Sequence, residues 1–439
     1  MIAGIVVLPF SFASCPVGAE IEDNTPSLRS IWEDYFSMGN IVAFQHHRRP
    51  PDIGNPTRWN LLRRHFHILT AEDEMKPDHL QPARGNFTWS RANRIVSETL
   101  GSGMRVHGHT LAWHSQSPYW MNQVSSGGGP ISRNVAIQNL RTHIDRVMRQ
   151  FPGVESWDVL NEVFAGGGGS AVSGGNWRAN LRNYTPGGPP HGTGTPWARA
   201  IGVYPHDVQN PNTHCYIWIA FTTARSVADA MGRPDMILYY NDYNEENPNK
   251  RAAIYYMVRE MNTRFAAQNN GRLLIDAIGM QAHYHAEGQG SGAAYPWGRT
   301  NLVYVRESME RFLRLIDDGL LRYISITELD ITVGNGPITP GQARQQAIMY
   351  AQLFRIFREF ARENPGRLRR VSIWGINDDA SWRHRGNPLL WNSRLEPKEA
   401  FWAVAHPDGF LNPDGSPRPA AQINAFLYNP MTYIDARHW

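Results

Sequence analysis

Two short apolar, β-branched runs each carry a glutamate beside a second polar residue. They are Trp157-Asp158-Val159-Leu160-Asn161-Glu162 and Ile324-Ser325-Ile326-Thr327-Glu328-Leu329-Asp330. Runs of this length and composition read as buried parallel strands. A carboxylate is expensive to bury unless it is paired or used. One such glutamate is most simply a satisfied ion pair. Two of them, each with a polar neighbour, also fit a carboxylate pair for acid/base or nucleophilic work, and spacing alone leaves both readings open. Asp330 lies two residues beyond Glu328, so the strand period of two puts both on one face.

The elements that would position these groups alternate along the chain. Strand-like runs fall at 35–44, 67–71, 105–113, 155–161, 236–241, 273–284, 323–331 and 370–377. Helical spacing appears between them, as at 135–151, 303–315 and 342–363. Eight β-then-α units predict an α/β protein, a closed (β/α)8 TIM barrel in a single domain. An open doubly wound sheet is disfavoured, because no glycine-rich phosphate fingerprint follows the first strand. In such a barrel the C-terminal strand ends line the site, and polar residues collect there: Glu72, Lys76, His109, His114, Asn161, Glu162, Asn241, Tyr243, Gln281, His283, Glu328 and Trp374.

Composition narrows the function classes. The chain has 439 residues, 41% of them hydrophobic, which suits one large barrel or two ordinary domains. Its 15 tryptophans suit stacking against flat ligands such as sugar rings, and equally a large core. The net charge of +4 is small for this length, and of 43 basic residues only Lys76, Lys250 and Lys398 are lysines. No basic run is interleaved with aromatics, so no nucleic-acid partner is expected.

The first 19 residues read as a signal peptide, with an apolar stretch from Ile2 to Phe12 and a Val17-Gly18-Ala19 step suited to cleavage. No Lys or Arg precedes that stretch, which is a defect in the pattern, and an ordinary apolar segment is the alternative. Phe12-Ala13-Ser14-Cys15 is a weak match to a lipoprotein acylation site. The expectation is therefore a secreted protein, with periplasmic and lipid-anchored surface forms left open. Removing the segment leaves Cys215 alone, so no disulfide framework is implied. No other stretch is apolar enough to span a membrane. The barrel is expected over 27–411, interrupted after its fourth strand by a Gly/Pro-rich insertion at 165–212. Trp177, Tyr184 and Trp197 in that insertion would pack it down or touch substrate. The remainder, 412–439, reads as a cap or a loosely held tail.

The ordered motifs resemble the retaining endo-β-1,4-xylanases of glycoside hydrolase family 10, from about Ser27 to about Phe410. The resemblance rests on Thr70-Ala71-Glu72-Asp73-Glu74-Met75-Lys76, Gly108-His109-Thr110-Leu111-Ala112-Trp113-His114-Ser115-Gln116, and Trp157-Asp158-Val159-Leu160-Asn161-Glu162. Tyr239-Tyr240-Asn241-Asp242-Tyr243-Asn244, Gly279-Met280-Gln281-Ala282-His283, Thr327-Glu328-Leu329-Asp330, Trp374-Gly375 and Ser381-Trp382-Arg383 complete it. The resemblance implies that Glu162 is the general acid/base and Glu328 the nucleophile. It implies that Asn161 holds the sugar 2-OH and His283 the nucleophile's oxygen. Asp330 would then fix the charge of His283 or simply form an ion pair. Glu72, Asp73, Lys76, His109, Trp113 and Gln281 would hold the glycone side. Trp374 and Trp382 would wall the sugar at the cleavage point, and Tyr243 would be an acceptor-side platform. The implied substrate is xylan or xylo-oligosaccharides, with no cofactor and no metal, acted on by a monomer. One position departs from the pattern: Asp73 stands where the family usually has asparagine, and a carboxylate accepts but does not donate. It is expected to alter xylose affinity rather than the reaction type.

Three other readings remain. A β-1,4-glucan-cleaving or mixed xylan/glucan enzyme differs only in the room left for a hydroxymethyl group, which sequence does not give. A non-catalytic carbohydrate-binding barrel would not need both glutamates. A metal-dependent barrel hydrolase would use His107, His109, His283, His285 and Asp330.

Overall fold

The computed structural model describes residues 24–44, 51–166, 170–182, 194–203, 215–287 and 300–438. The expected leader at 1–19, Tyr184 and much of the 165–212 insertion lie outside them. Among the described residues nine strands are parallel: β1 (Ser37–Val42), β2 (Ile68–Ala71), β3 (Arg105–His109), β4 (Ser156–Asn161), β5 (Ile237–Asp242), β6 (Ala277–Met280), β7 (His283–His285), β8 (Tyr323–Thr332) and β9 (Leu368–Ile373). Each of β1 to β5 pairs with the next, β6 pairs with β8, and β9 pairs with both β8 and β1. Eight strands thus close on themselves with helices between them, the (β/α)8 barrel expected from the alternation.

The strand expected over 273–284 is two pieces. β6 stops at Met280, Ala282 adopts φ +63°, and β7 resumes against the far end of β8. The ten residues of β8 are long enough to pair with both, His283 lying opposite Asp330. The interruption faces the part of β8 that holds Glu328, whose N–H donates to Gln281 O at 3.0 Å. The other strands begin or end within a few residues of their expected places, except that β3 stops at His109 instead of running to 113 and β9 stops at Ile373 instead of running to 377.

Helix starts follow local chemistry. Pro56–His65, Pro248–Gln268 and Pro340–Glu363 each place proline in the first turn, where its missing N–H costs nothing. Asn55, Asn247 and Thr339 cap them, and Gln342 completes a capping box with Thr339. That cap is why the last of these helices starts at 340 instead of 342. Helices Arg133–Gln150 and Leu302–Asp317 each run slightly past their expected N-terminus.

The strands are buried almost throughout, as expected for a sheet covered on one face by helices and filled on the other. In the barrel interior Tyr239 shares a hydrogen bond with Ser325 Oγ at 3.0 Å. Gly279 on β6 leaves room for a neighbouring side chain, since a Cβ there would meet Asn241 Oδ1 at 2.3 Å. After residue 411 the chain forms the helix Ala420–Tyr428, whose Phe426 packs edge-on against Phe410. The chain then returns to the first helical turn, where Ser27 N–H donates to His438 O at 2.5 Å.

Candidate active site

Glu162 follows the last residue of β4, with its backbone in the left-handed region at φ +56°. A glutamate adopts that conformation only when its surroundings impose it. Here Glu162 N–H donates to Asn241 O at 2.9 Å, and Asn161 N–H to Ala112 O at 3.1 Å, which fixes the turn between neighbouring strand ends. Glu328 sits inside β8 and is 5% exposed.

A run of amides connects the two carboxylates. Gln281 Nε2 donates to Glu162 Oε1 at 3.2 Å and to Asn161 Oδ1 at 3.0 Å. Asn241 Nδ2 donates to the same Asn161 oxygen at 3.1 Å and to Glu328 Oε1 at 2.7 Å. Thr327 Oγ1 donates to Asn241 Oδ1 at 2.6 Å, which orients that amide.

The two carboxyl groups have different surroundings. Burial pushes the Glu162 pKa up, and the charges of Asp242 and Glu328 add to it, against the Gln281 hydrogen bond and the Arg182 cation. Glu328 Oε2 lies 3.2 Å from His283 Nε2, and His283 Nδ1 lies 3.1 Å from Asp330 Oδ1. Burial alone would lower the His283 pKa, but the Asp330 charge and the two hydrogen bonds raise it to about 9, so the ring is an imidazolium at neutral pH. Asp330 stays ionised below the usual range: burial opposes this, and the Arg383 and His283 charges outweigh it. Arg383 donates to Asp330 Oδ1, and Trp382 Nε1 to Asp330 Oδ2 at 3.0 Å. Trp382 is 59% exposed, its ring standing edge-on to His283 at 5.0 Å.

A second group borders the first. His109, Asp158 and Glu328 each offer an oxygen or nitrogen within 4.8 Å of the others. Asp158 Oδ2 is already shared, 2.8 Å from His109 Nδ1 and 3.1 Å from His107 Nε2. Trp374 stands edge-on to His109 at 5.5 Å, with Trp113 tilted at 6.3 Å. Lys76 Nζ lies 5.3 Å from the Trp113 ring centre and donates to Asp73 Oδ1 and Gln116 Oε1, both at 2.8 Å. Gln116 Nε2 donates to Asp73 as well, at 3.0 Å. Burial would raise the Asp73 pKa, but Lys76 and Gln116 hold it at about 2. Glu72 is half-buried at the end of β2, its N–H donating to Val42 O at 3.0 Å.

On the other side, Tyr243 accepts a hydrogen bond from Arg182 Nη2 at 2.9 Å, and Lys250 Nζ lies 3.8 Å from its ring centre. Lys250 also neutralises the fully buried Asp242 at 2.7 Å. Arg182 Nη2 is 3.5 Å from Glu162 Oε2, and His114 Nε2 is 4.0 Å from it. Burial, with the Arg182 and Lys250 charges, drops the His114 pKa to about 3, so that ring is neutral.

The sequence-predicted residues therefore fall into linked sets: Asn161, Glu162, Gln281, His283, Glu328, Asp330 and Trp382; then Asp73, Lys76, His109, Trp113 and Trp374; then Tyr243. The histidines and aspartate of the metal reading are divided among different contacts. His107 and His109 face Asp158, His283 bridges Glu328 and Asp330, and His285 meets Arg383 at 2.8 Å. Sequence reasoning placed Asn241 among the residues lining the site without a specific role, and singled out none of Asp158, Gln116, Arg383 or Arg182. Asn241, Asp158, Gln116 and Arg383 lie inside the quoted motifs; Arg182 lies in the insertion, where no periodicity marks it.

The insertion is held to the barrel where it is described. Trp177 is buried and donates from Nε1 to Glu260 at 2.8 Å, and Arg178 pairs with the same carboxylate at 2.8 Å. Trp197 Nε1 donates to Trp113 O at 3.2 Å. Both tryptophans thus anchor the loop.

Comparison with known proteins bears on this geometry. The chain is 32% identical, over 94% of its length, to endo-1,4-beta-xylanase A of Thermoanaerobacterium saccharolyticum, covering 32% of that protein. It is equally similar, over the same share, to exoglucanase XynX of Acetivibrio thermocellus, covering 34% of it. The chain thus spans about a third of the length of these curated relatives. It matches 98% of an endo-1,4-beta-xylanase of Geobacillus stearothermophilus at 30% identity over 87% of its own length. Among solved structures, a psychrophilic family 10 endo-beta-1,4-xylanase superposes with a TM-score of 0.66 at 29% identity, covering 86% of this chain and 99% of that one. The intracellular xylanase TsXylA of T. saccharolyticum gives 0.66 at 32% identity, covering 87% and 99%. No helix among the described residues is long and apolar enough to cross a membrane. The sequence profile described as glycosyl hydrolase family 10 matches residues 27–407, and the chain belongs to that family.

Proposed function

We propose that the protein is a retaining endo-1,4-β-xylanase working by double displacement. The observation that carries this reading is the unequal treatment of two linked carboxyl groups. Glu328 receives an imidazolium and an amide hydrogen bond, whereas Glu162 is buried among groups that favour its proton. In the first step a Glu328 oxygen bonds to the anomeric carbon as the glycosidic C–O bond breaks, and the Glu162 proton passes to the departing oxygen. The first product leaves with that proton. Water then attacks the anomeric carbon, giving a proton to the Glu162 carboxylate, and the ester bond to Glu328 breaks. Both groups return to their starting states.

Asn161 would hold the 2-OH where the contact strengthens in the transition state. His283, fixed as a cation by Asp330, meets Glu328 Oε2 and aims it. His109, Lys76, Asp73, Glu72, Gln281 and Trp113 take the glycone side; Trp374 and Trp382 enclose the sugar being cleaved; Tyr243 takes the acceptor side. Side-by-side assays on xylan, short xylo-oligosaccharides and cellulose, with Glu328→Ala as the blank, test the reading. Retention is read from the anomer first released. Activity that survives Glu328→Ala, or an inverted first product, overturns it.

A mixed xylan/glucan enzyme is the second reading, favoured by relatives named exoglucanase XynX and thermostable celloxylanase. Cellulose hydrolysis at a rate near that on xylan would establish it. We also place the enzyme outside the cytoplasm, on the apolar stretch from Ile2 to Phe12. One structural relative is an intracellular xylanase, so the mass of the N-terminus after expression in the native host is the deciding measurement.

A further inference from the structure

Arg182 belongs to the insertion after β4, yet its backbone is fastened to the residues that follow Glu162. Leu181 bridges Phe164, and Arg182 N–H donates to Val163 O at 3.0 Å. The side chain then folds back toward the chemistry. Nε donates to the Glu162 carbonyl oxygen at 3.4 Å, Nη2 donates to Tyr243 at 2.9 Å, and Nη2 sits 3.5 Å from Glu162 Oε2. Its guanidinium is largely shielded, with 18% of the side chain exposed, so the charge is weakly screened.

The charged and titratable groups facing Glu162 come from several elements. His114, from the loop after β3, is neutral. Asp242 on β5 is matched by Lys250, and Glu328 on β8 by His283. Tyr243 takes its hydrogen bond from Arg182. Gln281 and Asn161 meet the other oxygen, Oε1, without charge. Two carboxylates and burial therefore favour a protonated Glu162, and each of those carboxylates already has its own cation. Arg182 is a cation that meets Glu162 directly.

We propose that Arg182 is a positioning residue for Glu162, gripping its Oε2 edge and supplying the positive charge against which the carboxyl group gives up its proton. The proposal rests on Glu162 being the acid/base, as set out above. A group that must donate a proton in one step and recover it in the next works best when neither state is held too firmly. Without Arg182, burial and two neighbouring acids hold the proton too firmly. The planar fork also touches Tyr243, so a loop outside the barrel strands couples the acid to the acceptor side. Lysine can supply the charge but not both contacts at once.

The test uses the full chain and three variants: Arg182→Gln, Arg182→Met and Arg182→Lys. Rates against pH are measured on a xylo-oligosaccharide and on an aryl xylobioside whose leaving group needs little protonation. The alkaline limb of kcat/KM reports the free enzyme's acid. It is expected to move up by about one pH unit in the Gln and Met variants and to stay near wild type in the Lys variant. The rate loss is expected to be larger on the oligosaccharide than on the aryl substrate. An unmoved limb in the Gln variant, with equal losses on both substrates, overturns the proposal and leaves Arg182 a packing residue. If Arg182→Met is destabilised, the Gln and Lys pair decides alone. Wild-type-like activity in Glu162→Ala would instead overturn the assignment of Glu162 itself, so the two failures are distinguishable.

Discussion

His283 and Asp330 occupy directly opposed positions on β7 and β8, with Nδ1 3.1 Å from Oδ1, while the far side of the same ring meets Glu328. The buried aspartate therefore acts on Glu328 through a charged ring. Removing its charge with Asp330→Asn should return the His283 pKa from about 9 toward or below the ordinary 6.5. The expected loss in kcat/KM is about tenfold or more at neutral pH. A histidine titration followed by NMR, alongside kinetics, checks both halves; an unshifted ring with unchanged rate refutes the arrangement.

The same pair makes stability depend on alkaline pH. The folded His283 pKa is raised, so its contribution is fully present below the unfolded value of 6.5 and is lost as pH rises through about 9. Thermal melts across that window should show a fall in Tm that is smaller in His283→Gln. Parallel curves for the two proteins would contradict it.

Asp73 is depressed instead, so it stabilises above its unfolded value of 3.8 and loses that effect as pH falls through about 2. Because its charge helps hold Lys76, Asp73→Asn should loosen that ammonium, leaving Gln116 as its charge-free partner, and change KM on xylo-oligosaccharides several-fold. The rate on an activated aryl xyloside should hardly change. Identical kinetics on oligosaccharides of every length would refute a role in affinity.

Gly279→Ala tests the amide link between the carboxylates. The added methyl would lie 2.3 Å from Asn241 Oδ1 and 2.8 Å from Thr327 Cγ2, neither of which can move freely. A drop in kcat of about tenfold or more, with folding preserved, is the expected outcome. Circular dichroism and kinetics on the purified variant decide it.

The insertion is anchored by Trp177, whose ring is buried against Phe164 and whose N–H meets Glu260. Trp177→Ala should cost about 3–5 kcal/mol by urea denaturation. It should also alter the product lengths released from xylan, because Arg182 is carried by the same loop. Deleting the insertion without any change in cleavage pattern would show that it does not shape the acceptor side.

The barrel was legible because parallel strands buried on both faces read as apolar runs, and helices with capped proline starts separate them. The carboxylates were legible for the same reason: Glu162 and Glu328 stand out against β-branched neighbours. The break between β6 and β7 was not, because nothing in Gln281-Ala282 announces a left-handed alanine; tertiary pairing with the long β8 imposes it. Arg182 was hidden for a different reason. Loop residues follow no period, so only folding brings that side chain back to a glutamate twenty positions earlier in the chain.

The twisted backbone at Glu162 bears on which substitution of that residue the fold tolerates best. Alanine there removes the carboxyl group but keeps a β-carbon in a conformation that disfavours one, whereas glycine relaxes it. Of the two variants, the glycine form should melt at the higher temperature. The difference would measure, in degrees, the deformation this chain tolerates at a single residue in order to aim one carboxyl group.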